Sequence, residues 1–437
     1  MSSLISIDRT NNYYKQLKGS FIFKALAVGC SFLIIPIMIK YLGNEQYGIW
    51  STLFSIVSWI VLFDIGIGNG LRNKISESLA RDDKEEAQNY ISTAYVLLGV
   101  ICMTLLIIFL LASDYVPWQI VFNTLILSNN ELKIVVQLTA SFLLINFWFS
   151  LINQVFNGLQ KTSLVVFNQF LSNFFSLIST YILYNFFETS LLKLAIFYGL
   201  SLLSASFLLS IWFYNNNKEF IPKLRLFHTK YTQSILSLGF QFFIIQIAVI
   251  IIFTTDKILI TQLFGPENIA SYDVVFKFFS IITIGFSLIN TPLWSAYSDA
   301  YHRNDFEWME KTIKKQLKIY LLIIMVTLFF SFFAKKFINL WIGVDLNVDL
   351  KLIYAMSGFI LISVWNSIFS TFINAIGKLN VQIITSIIAI FINIPLSILL
   401  VKYYGMGVYG VTIATTLSLS LFAIFGSYQA IRIIKLR

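Results

Sequence analysis

The sequence predicts an all-α protein that crosses a membrane about twelve times. Of the 437 residues, 57% are hydrophobic and only 12% are charged, which is too apolar a composition for a water-soluble domain. The apolar residues come in blocks of about twenty, the length that an α-helix needs to cross about 30 Å of hydrocarbon. Short polar stretches separate these blocks, so each block is a candidate span.

The apolar blocks divide into two sets of six. The first set is expected near residues 20–40, 48–70, 91–112, 134–156, 164–186 and 191–213. The second is expected near residues 236–262, 272–294, 316–338, 353–375, 380–402 and 408–431. The first block lacks a small-residue cleavage site, so it is expected to stay in the mature protein. The sequence thus predicts an N-terminal six-helix bundle over residues 1–215, a linker over 216–231 and a C-terminal six-helix bundle over 232–437.

Lysine and arginine residues are distributed unevenly between the two sides of the predicted membrane. The N-terminus and every second loop after it hold 20 of them, from Arg9 to Arg437, and the opposite loops hold eight. Because cytoplasmic loops are enriched in these residues, the richer side is predicted to be cytoplasmic, with both termini on it. The net charge of +10 is therefore interpreted as a topology signal and not as a nucleic-acid footprint.

A sequence repeat relates the two predicted halves. At a shift of 222 residues the matched pairs are Gly43 with Gly265, Glu77 with Asp299, Arg81 with Arg303, Asp83 with Asp305 and Glu85 with Glu307. After a deletion of five residues, further matches run from Leu144 with Leu361 to Lys161 with Lys378. A six-helix unit returns the chain to its starting side, so two copies have the same orientation. This predicts two parallel halves around a central cavity, as in transporters that work by alternating access.

Residues typical of metal, cofactor or disulfide sites are few. Cys30 and Cys102 lie inside predicted spans, where a thiol is ordinary packing material. His228 and His302 lie in loops without a second ligand at metal-binding spacing. The glycines within residues 66–70 lack the GxGxxG spacing and follow a spanning helix, not a strand. We therefore expect no bound metal, no cofactor and no catalytic residues.

Several motifs resemble those of a known transporter family. They are the segments 41–50 (YLGNEQYGIW), 64–71 (DIGIGNGL), 255–257 (TDK), 264–267 (FGPE) and 292–300 (PLWSAYSDA). In these motifs and in length, nearly the whole chain resembles the Wzx-type flippases that export O-antigen or capsule repeat units. That family belongs to the MATE-like MOP exporter superfamily, which also contains multidrug exporters and lipid II flippases.

The resemblance implies a MATE-like fold and a carrier, not an enzyme. Such a carrier moves an oligosaccharide linked to undecaprenyl pyrophosphate from the inner to the outer leaflet of the bacterial inner membrane, coupled to H⁺ or Na⁺. Its expected partners are this lipid-linked oligosaccharide, the bilayer and the coupling ion, with a polymerase and chain-length proteins as candidate protein partners. Two alternatives stay open: a multidrug or cation antiporter of the same superfamily, and a membrane-embedded glycosyltransferase or polymerase. The short outer loops, none longer than about twenty residues, disfavour the enzyme.

Polar residues inside the predicted spans are candidates for lining the pathway, because a charge at mid-membrane costs roughly 2.5 to 3.5 kcal/mol. The predicted substrate-pathway residues are Lys24, Gln246, Lys257 and Lys277. The repeat aligns Lys24 with Gln246. Gln246 and Lys257 are eleven residues apart, almost three helical turns, so they are expected on one face of the seventh span.

Each of these lysines also has a structural interpretation. Lys24 could reach the membrane surface by snorkelling. Lys257 could be neutralised by its neighbour Asp256, and Lys277 could form an i,i+4 salt bridge with Asp273.

Two acidic residues are candidates for ion coupling. Asp64 and Asp256 lie within predicted spans, where a carboxylate can take up and release a proton or a metal cation. For Asp64 the alternative is a position near a helix end, where the glycine-rich backbone admits water. For Asp256 the alternative is the neutral pair with Lys257.

Overall fold

The protein is helical through most of the residues that the structure describes. The computed structural model describes residues 2–60, 66–290, 293–302, 304–343 and 346–435. The α-helices are α1 (Ser2–Val57), α2 (Ile67–Ala80), α3 (Lys84–Ser113), α4 (Trp118–Phe122), α5 (Asn129–Phe149), α6 (Ile152–Gly158), α7 (Thr162–Phe186), α8 (Leu191–Asn216), α9 (Thr229–Phe264), α10 (Glu267–Asn290), α11 (Leu293–His302), α12 (Phe306–Ile342), α13 (Leu350–Ala375), α14 (Asn380–Ile398) and α15 (Val408–Lys435). Short 3₁₀ turns at Lys218–Phe220 and Leu224–Leu226 and a π turn at Leu399–Tyr403 join them.

Within the described residues, nine helical stretches are long and apolar enough to cross a membrane. They are Lys18–Ile60, Lys84–Ser113, Asn129–Gly158, Leu191–Asn216, Glu267–Asn290, Phe306–Ile342, Leu350–Ala375, Asn380–Tyr403 and Val408–Ile434. The first stretch covers the first predicted span and most of the second. Helices α7 and α9, with 25 and 36 residues, lie over the fifth and seventh predicted spans. The predicted all-α, multi-pass membrane protein is confirmed.

The chain forms two compact units. Unit 1 consists of Met1–Gln46 and Ile56–Ile244, and unit 2 consists of Tyr47–Ser55 and Ile245–Arg437. The predicted six-helix bundles with their linker at residues 216–231 stay a prediction.

Unit 1 is built around α3 and α8. Helix α3 packs against α2 and α5, and α8 packs against α5 and α7. The fully buried side chains of this core include Ile67, Ile75, Ile91, Ile152 and Phe156. Their burial supplies the packing contacts that hold these helices together.

Unit 2 is built around α13, which packs against α10, α11, α12 and α15. Its buried residues Ile353, Met356, Ile360, Val364 and Ile368 recur every three or four positions, which is the spacing of one helix face. Helix α14 packs against α15. Helix α13 therefore occupies the centre of unit 2.

Helix α1 is broken at Gly43. The backbone of Gly43 has φ 74° and ψ 171°, a conformation that favours glycine because it has no Cβ. Gly265, which the sequence repeat aligns with Gly43, also has a positive φ, of 92°, and lies directly after α9. The two aligned glycines therefore mark the same kind of local break in the chain.

Two aligned turns also have matching geometry. The Asp83 carboxylate caps α3 by accepting a hydrogen bond from the backbone N–H three residues later, at 2.8 Å. Asp305 caps α12 in the same way, at 3.0 Å. The residues just before them, Asp82 and Asn304, have left-handed φ values of 58° and 60°. Both turns therefore use the same side-chain cap and the same left-handed residue, which agrees with the sequence repeat.

Candidate functional site

A lysine and an aspartate form an ion pair inside unit 2. The Lys257 Nζ on α9 lies 2.6 Å from the Asp273 Oδ1 on α10. Lys257 also donates a hydrogen bond to the Ser51 Oγ, at 2.8 Å. The second Asp273 oxygen accepts hydrogen bonds from the Ser51 hydroxyl and from the Tyr47 hydroxyl, the latter at 3.3 Å. One ammonium group and two hydroxyl groups therefore hold this carboxylate.

The two charged side chains differ in their exposure. The Asp273 side chain is 8% exposed, whereas that of Lys257 is 24% exposed. A buried carboxylate needs a paired cation or strong hydrogen bonds, because its desolvation is costly. The lysine meets that need and still has part of its surface free of protein contacts. Lys257 is therefore the member of the pair that a second anion can approach.

A second acidic residue, Asp256, lies next to Lys257 in the chain but has other partners. Its Oδ1 accepts a hydrogen bond from the Thr415 hydroxyl on α15 at 2.7 Å. Its Oδ2 accepts one from the Tyr272 hydroxyl on α10 at 3.1 Å. The Asn393 side-chain amide on α14 in turn donates to the Thr415 hydroxyl, at 2.9 Å. Asp256 is only 2% exposed.

The register between α9 and α10 explains why these adjacent acidic and basic residues separate. Neighbouring residues on an α-helix point about 100° apart. Asp256 pairs with Tyr272 and Lys257 pairs with Asp273, so two consecutive residues of α9 meet two consecutive residues of α10. The remaining contacts of the two residues differ. Asp256 also contacts Thr415 on α15, and Lys257 also contacts Ser51 on α1.

Helix α15, which contacts Asp256, and its neighbour α14 also carry buried oxygen atoms without a hydrogen-bond partner among the described residues. They are the Asn393 Oδ1, the Ser397 Oγ and the Thr412 Oγ1, and all three residues are at most 1% exposed. Hard cations such as Na⁺ prefer oxygen ligands, and a carboxylate with amide and hydroxyl oxygens is such a donor set. In the described part of the chain no group of three or more His, Cys, Asp or Glu forms a metal site.

The predicted site residues are distributed over both units. Lys257 and Asp256 are neighbours on α9, and Lys277 lies on α10, one helical turn after Asp273. Lys24, in unit 1, donates a hydrogen bond to the Gln169 side chain at 3.0 Å. Asp64 and the side chain of Gln246 lie outside the described residues.

The alternative interpretation of Lys257 as the partner of Asp256 is wrong. Its ammonium group pairs with Asp273, because the 100° offset between adjacent helical positions directs the two side chains of α9 to different neighbours. Sequence reasoning also missed the contributions of Tyr47 and Ser51. One signal was available, because Ser51 and Asp273 are separated by 222 residues, the shift of the repeat.

The fold matches that of solved MOP-superfamily transporters. One is an inward-facing multidrug resistance transporter of the MATE family, with a TM-score of 0.81 and 17% identity over 95% of this chain and 98% of the other. Another is a MOP-superfamily transporter from Pyrococcus furiosus, with a TM-score of 0.69 and 18% identity over 96% of each chain. The predicted MATE-like fold is confirmed, and the chain has the architecture of this class of transporters.

The sequence comparisons narrow the class to a family. The family model described as polysaccharide biosynthesis protein matches residues 20–298, and the MatE model matches residues 242–399. The chain belongs to the polysaccharide biosynthesis protein family. The predicted resemblance to the polysaccharide exporters of the MOP superfamily is thereby confirmed.

Two curated relatives have names that refer to O-antigen. A Yersinia pseudotuberculosis protein, provisionally named an O-antigen export protein, is 24% identical over 82% of each chain. A Salmonella typhimurium protein, provisionally named an O-antigen transporter, is 25% identical over 68% of this chain and 67% of its own length.

Proposed function

We propose that this chain is a flippase that moves an oligosaccharide, linked to undecaprenyl pyrophosphate, from the inner to the outer leaflet of a bacterial inner membrane. The observation that carries the proposal is the family match over residues 20–298, together with relatives provisionally named for O-antigen export. A sugar chain with a pyrophosphate cannot cross hydrocarbon unaided, so its carrier needs polar and cationic groups within the membrane.

Lys257 is the residue that we propose for contact with the pyrophosphate. Its ammonium group lies within a predicted span, where Asp273 offsets its charge. A passing pyrophosphate offers more negative charge than one carboxylate, so it can compete with Asp273 for the ammonium group of this partly exposed side chain. The pair then keeps the cation stable inside the protein between transport cycles. Lys24, Gln246 and Lys277 remain further candidates for the pathway.

Asp256 is the residue that we propose for ion coupling. Its carboxylate is held by the Thr415 and Tyr272 hydroxyls and lies on the same turn of α9 as Lys257. Binding of H⁺ or Na⁺ at Asp256 changes the charge beside Lys257 and the hydrogen bonds to α10 and α15. Such a change favours one conformation over another only if the ion binds the two states with different affinity. Asp64 remains a second candidate.

The proposed cellular location and protein partners follow from the same function. Lipid-linked repeat units are completed on the cytoplasmic side, so we propose the inner membrane, with both termini cytoplasmic as the distribution of Lys and Arg indicates. A polymerase and chain-length proteins on the outer side are the proposed protein partners.

A multidrug or cation antiporter is the second candidate. The MatE match over residues 242–399 and the likeness to a multidrug resistance transporter favour it. An antiporter of this kind expels toxic cations from the cell, whereas a flippase does not. Efflux of a cationic dye, compared between the deletion strain and its parent, therefore separates the two candidates.

Deletion of the chain in its own host tests the proposed function. We expect loss of a surface polysaccharide and accumulation of its lipid-linked repeat unit in the inner leaflet, measured by lipid extraction and by periodate labelling of surface-exposed sugars. Re-expression of the unaltered chain restores export, which controls for effects on neighbouring genes. If the repeat unit reaches the outer leaflet at the normal rate without any related carrier, the flippase proposal is wrong.

A further inference from the structure

A large groove runs along unit 1 between α3, α5 and α8. Its volume is about 1020 Å³. Helix α3 forms its longest wall, from Ser92 to Leu106. At 1.5 Å per residue this wall is about 21 Å long. All lining residues belong to unit 1, so the groove lies within one unit.

The walls of the groove are apolar although several of their side chains carry polar atoms. The Trp148 Nε1 donates a hydrogen bond to the Tyr95 backbone oxygen at 2.8 Å, and the Tyr214 hydroxyl donates to the Tyr95 hydroxyl at 3.2 Å. The polar tips are thus paired inside the protein, and the rings line the cavity. Val100 and Met103 on α3 complete the wall, and each is 61% exposed. The groove therefore suits a long hydrocarbon chain.

One end of the groove is polar and basic. Asn215 at the end of α8 and Lys223 in the following loop line this end. The Lys223 backbone N–H donates a hydrogen bond to the Ser92 hydroxyl at 3.0 Å, which ties the loop to α3. The Lys223 and Arg225 side chains are exposed, and neither forms an ion pair with a described residue. An anionic group can therefore bind at this end without displacing a carboxylate.

We propose that the groove binds the polyprenyl chain of a lipid-linked pyrophosphate, with the pyrophosphate at Lys223. This inference rests on the proposed function and adds a loading site for the lipid. The charge of the polar end is complementary to a pyrophosphate. The acyl chain of a phospholipid ends near the bilayer midplane, after about half of a hydrocarbon core of about 30 Å. The wall of about 21 Å is longer than that. A polyprenyl chain is longer than such an acyl chain and can fill the groove.

Photocrosslinking in vesicles tests this inference. The variant Phe207→p-benzoylphenylalanine places the reactive group in the groove, and Trp212→p-benzoylphenylalanine is the matched control on α8 outside it. Phe207 and Trp212 are 46% and 52% exposed, so both report lipid contact, but only Phe207 lines the groove. The probe is radiolabelled undecaprenyl pyrophosphate in phosphatidylethanolamine vesicles. We expect crosslinking at position 207 at least roughly tenfold above position 212, and no competition by phosphatidylglycerol.

Two pairs of variants check the geometry with the same probe. Val100→Trp fills the groove, whereas Ile108→Trp, at a residue of α3 that is 57% exposed and does not line it, is the control. We expect Val100→Trp to weaken probe binding roughly tenfold, the effect of about two lost methylene contacts. Lys223→Gln should weaken binding of undecaprenyl pyrophosphate but not of undecaprenol, whereas Lys230→Gln should change neither.

The outcomes separate this inference from the proposed function. Equal crosslinking at both positions, or full competition by phosphatidylglycerol, means that the groove holds bulk lipid and overturns the inference. Export of the repeat unit is measured separately in cells. Normal export without crosslinking at position 207 would support the proposed function and refute lipid binding in the groove. Specific crosslinking without any export by the unaltered chain would support lipid binding in the groove and refute the flippase proposal.

Discussion

Replacing Lys257 with glutamine tests both the ion pair and its role in export. The change removes the cation from Asp273, whose side chain is 8% exposed. Among the described residues, its carboxylate then keeps the Tyr47 and Ser51 hydroxyls as donors. Breaking a fully buried ion pair by removing one partner costs about 3–5 kcal/mol. Because Lys257 is 24% exposed and partly screened by solvent, we expect a lower loss, of about 2–3 kcal/mol.

A double-mutant cycle isolates the contribution of this pair. Lys257→Gln and Asp273→Asn are each expected to lower the thermal midpoint of the purified protein in detergent, and the combination should be more stable than Lys257→Gln alone. The control cycle combines Lys257→Gln with Asp256→Asn. In this control cycle the changes in thermal midpoint should be closer to additive, because Asp256 forms its hydrogen bonds with Thr415 and Tyr272 and not with Lys257. Single variants that unfold at the temperature of the unaltered protein would refute the ion pair as a stabilising contact.

Export by the same variants then separates a pathway role from a packing role. The double variant Lys257→Gln with Asp273→Asn regains stability but has no cation for the pyrophosphate. We expect its export to stay roughly ten- to a hundredfold below normal at equal protein levels, the loss of one charge-assisted hydrogen bond. Lys257→Arg should export more than Lys257→Gln, because it keeps the charge. Normal export by the double neutral variant would show that Lys257 is a packing element.

Two further predictions concern the scaffold. Gly48→Ala should strongly lower the yield of folded protein, because its Cβ would lie 1.7 Å from the Pro266 backbone oxygen. Gly29→Ala should be neutral or raise the thermal midpoint, because outside its own stretch of helix no atom of a described residue lies within 4 Å of the added Cβ. Equal midpoints for the two variants would contradict the close approach at Gly48. Reporter fusions after residues 83, 225, 305 and 437 should report the cytoplasm, and fusions near residues 125 and 345 the exterior. A reversed pattern at most of these positions would refute the predicted orientation.

The sequence was sufficient to predict the fold because hydrocarbon imposes a strong length rule on spanning helices. Blocks of about twenty apolar residues identified most of the helices, and their class was confirmed. The repeat identified turns with matching caps, at Asp83 and at Asp305. The length of an apolar block and the cap of a helix are both local properties, because residues close together in the chain determine them.

The partners inside unit 2 were not predictable in the same way. Distance along the chain favoured a pairing of Lys257 with Asp256, which is its neighbour, but helical geometry directs adjacent side chains apart. The true partner, Asp273, depends on how α9 and α10 pack, and the contribution of Ser51 depends on the second part of α1 joining unit 2. Hydropathy contains no information on either contact.

The repeat also indicates which of its two copies contains the charged residues of the candidate site. At the shift of 222 residues, Lys257 corresponds to Ile35 and Asp273 corresponds to Ser51, so only the second copy holds the two charges. One such charge without its partner costs roughly 2.5 to 3.5 kcal/mol in a span, and pairing the lysine with the aspartate offsets part of this cost. The first copy supplies Ser51, whose hydroxyl joins both members of that pair. The repeat therefore accounts for the turns that both copies share. The differences between the copies at a few span positions account for the pair of Lys257 and Asp273. For this reason the proposed contact with the pyrophosphate belongs to unit 2.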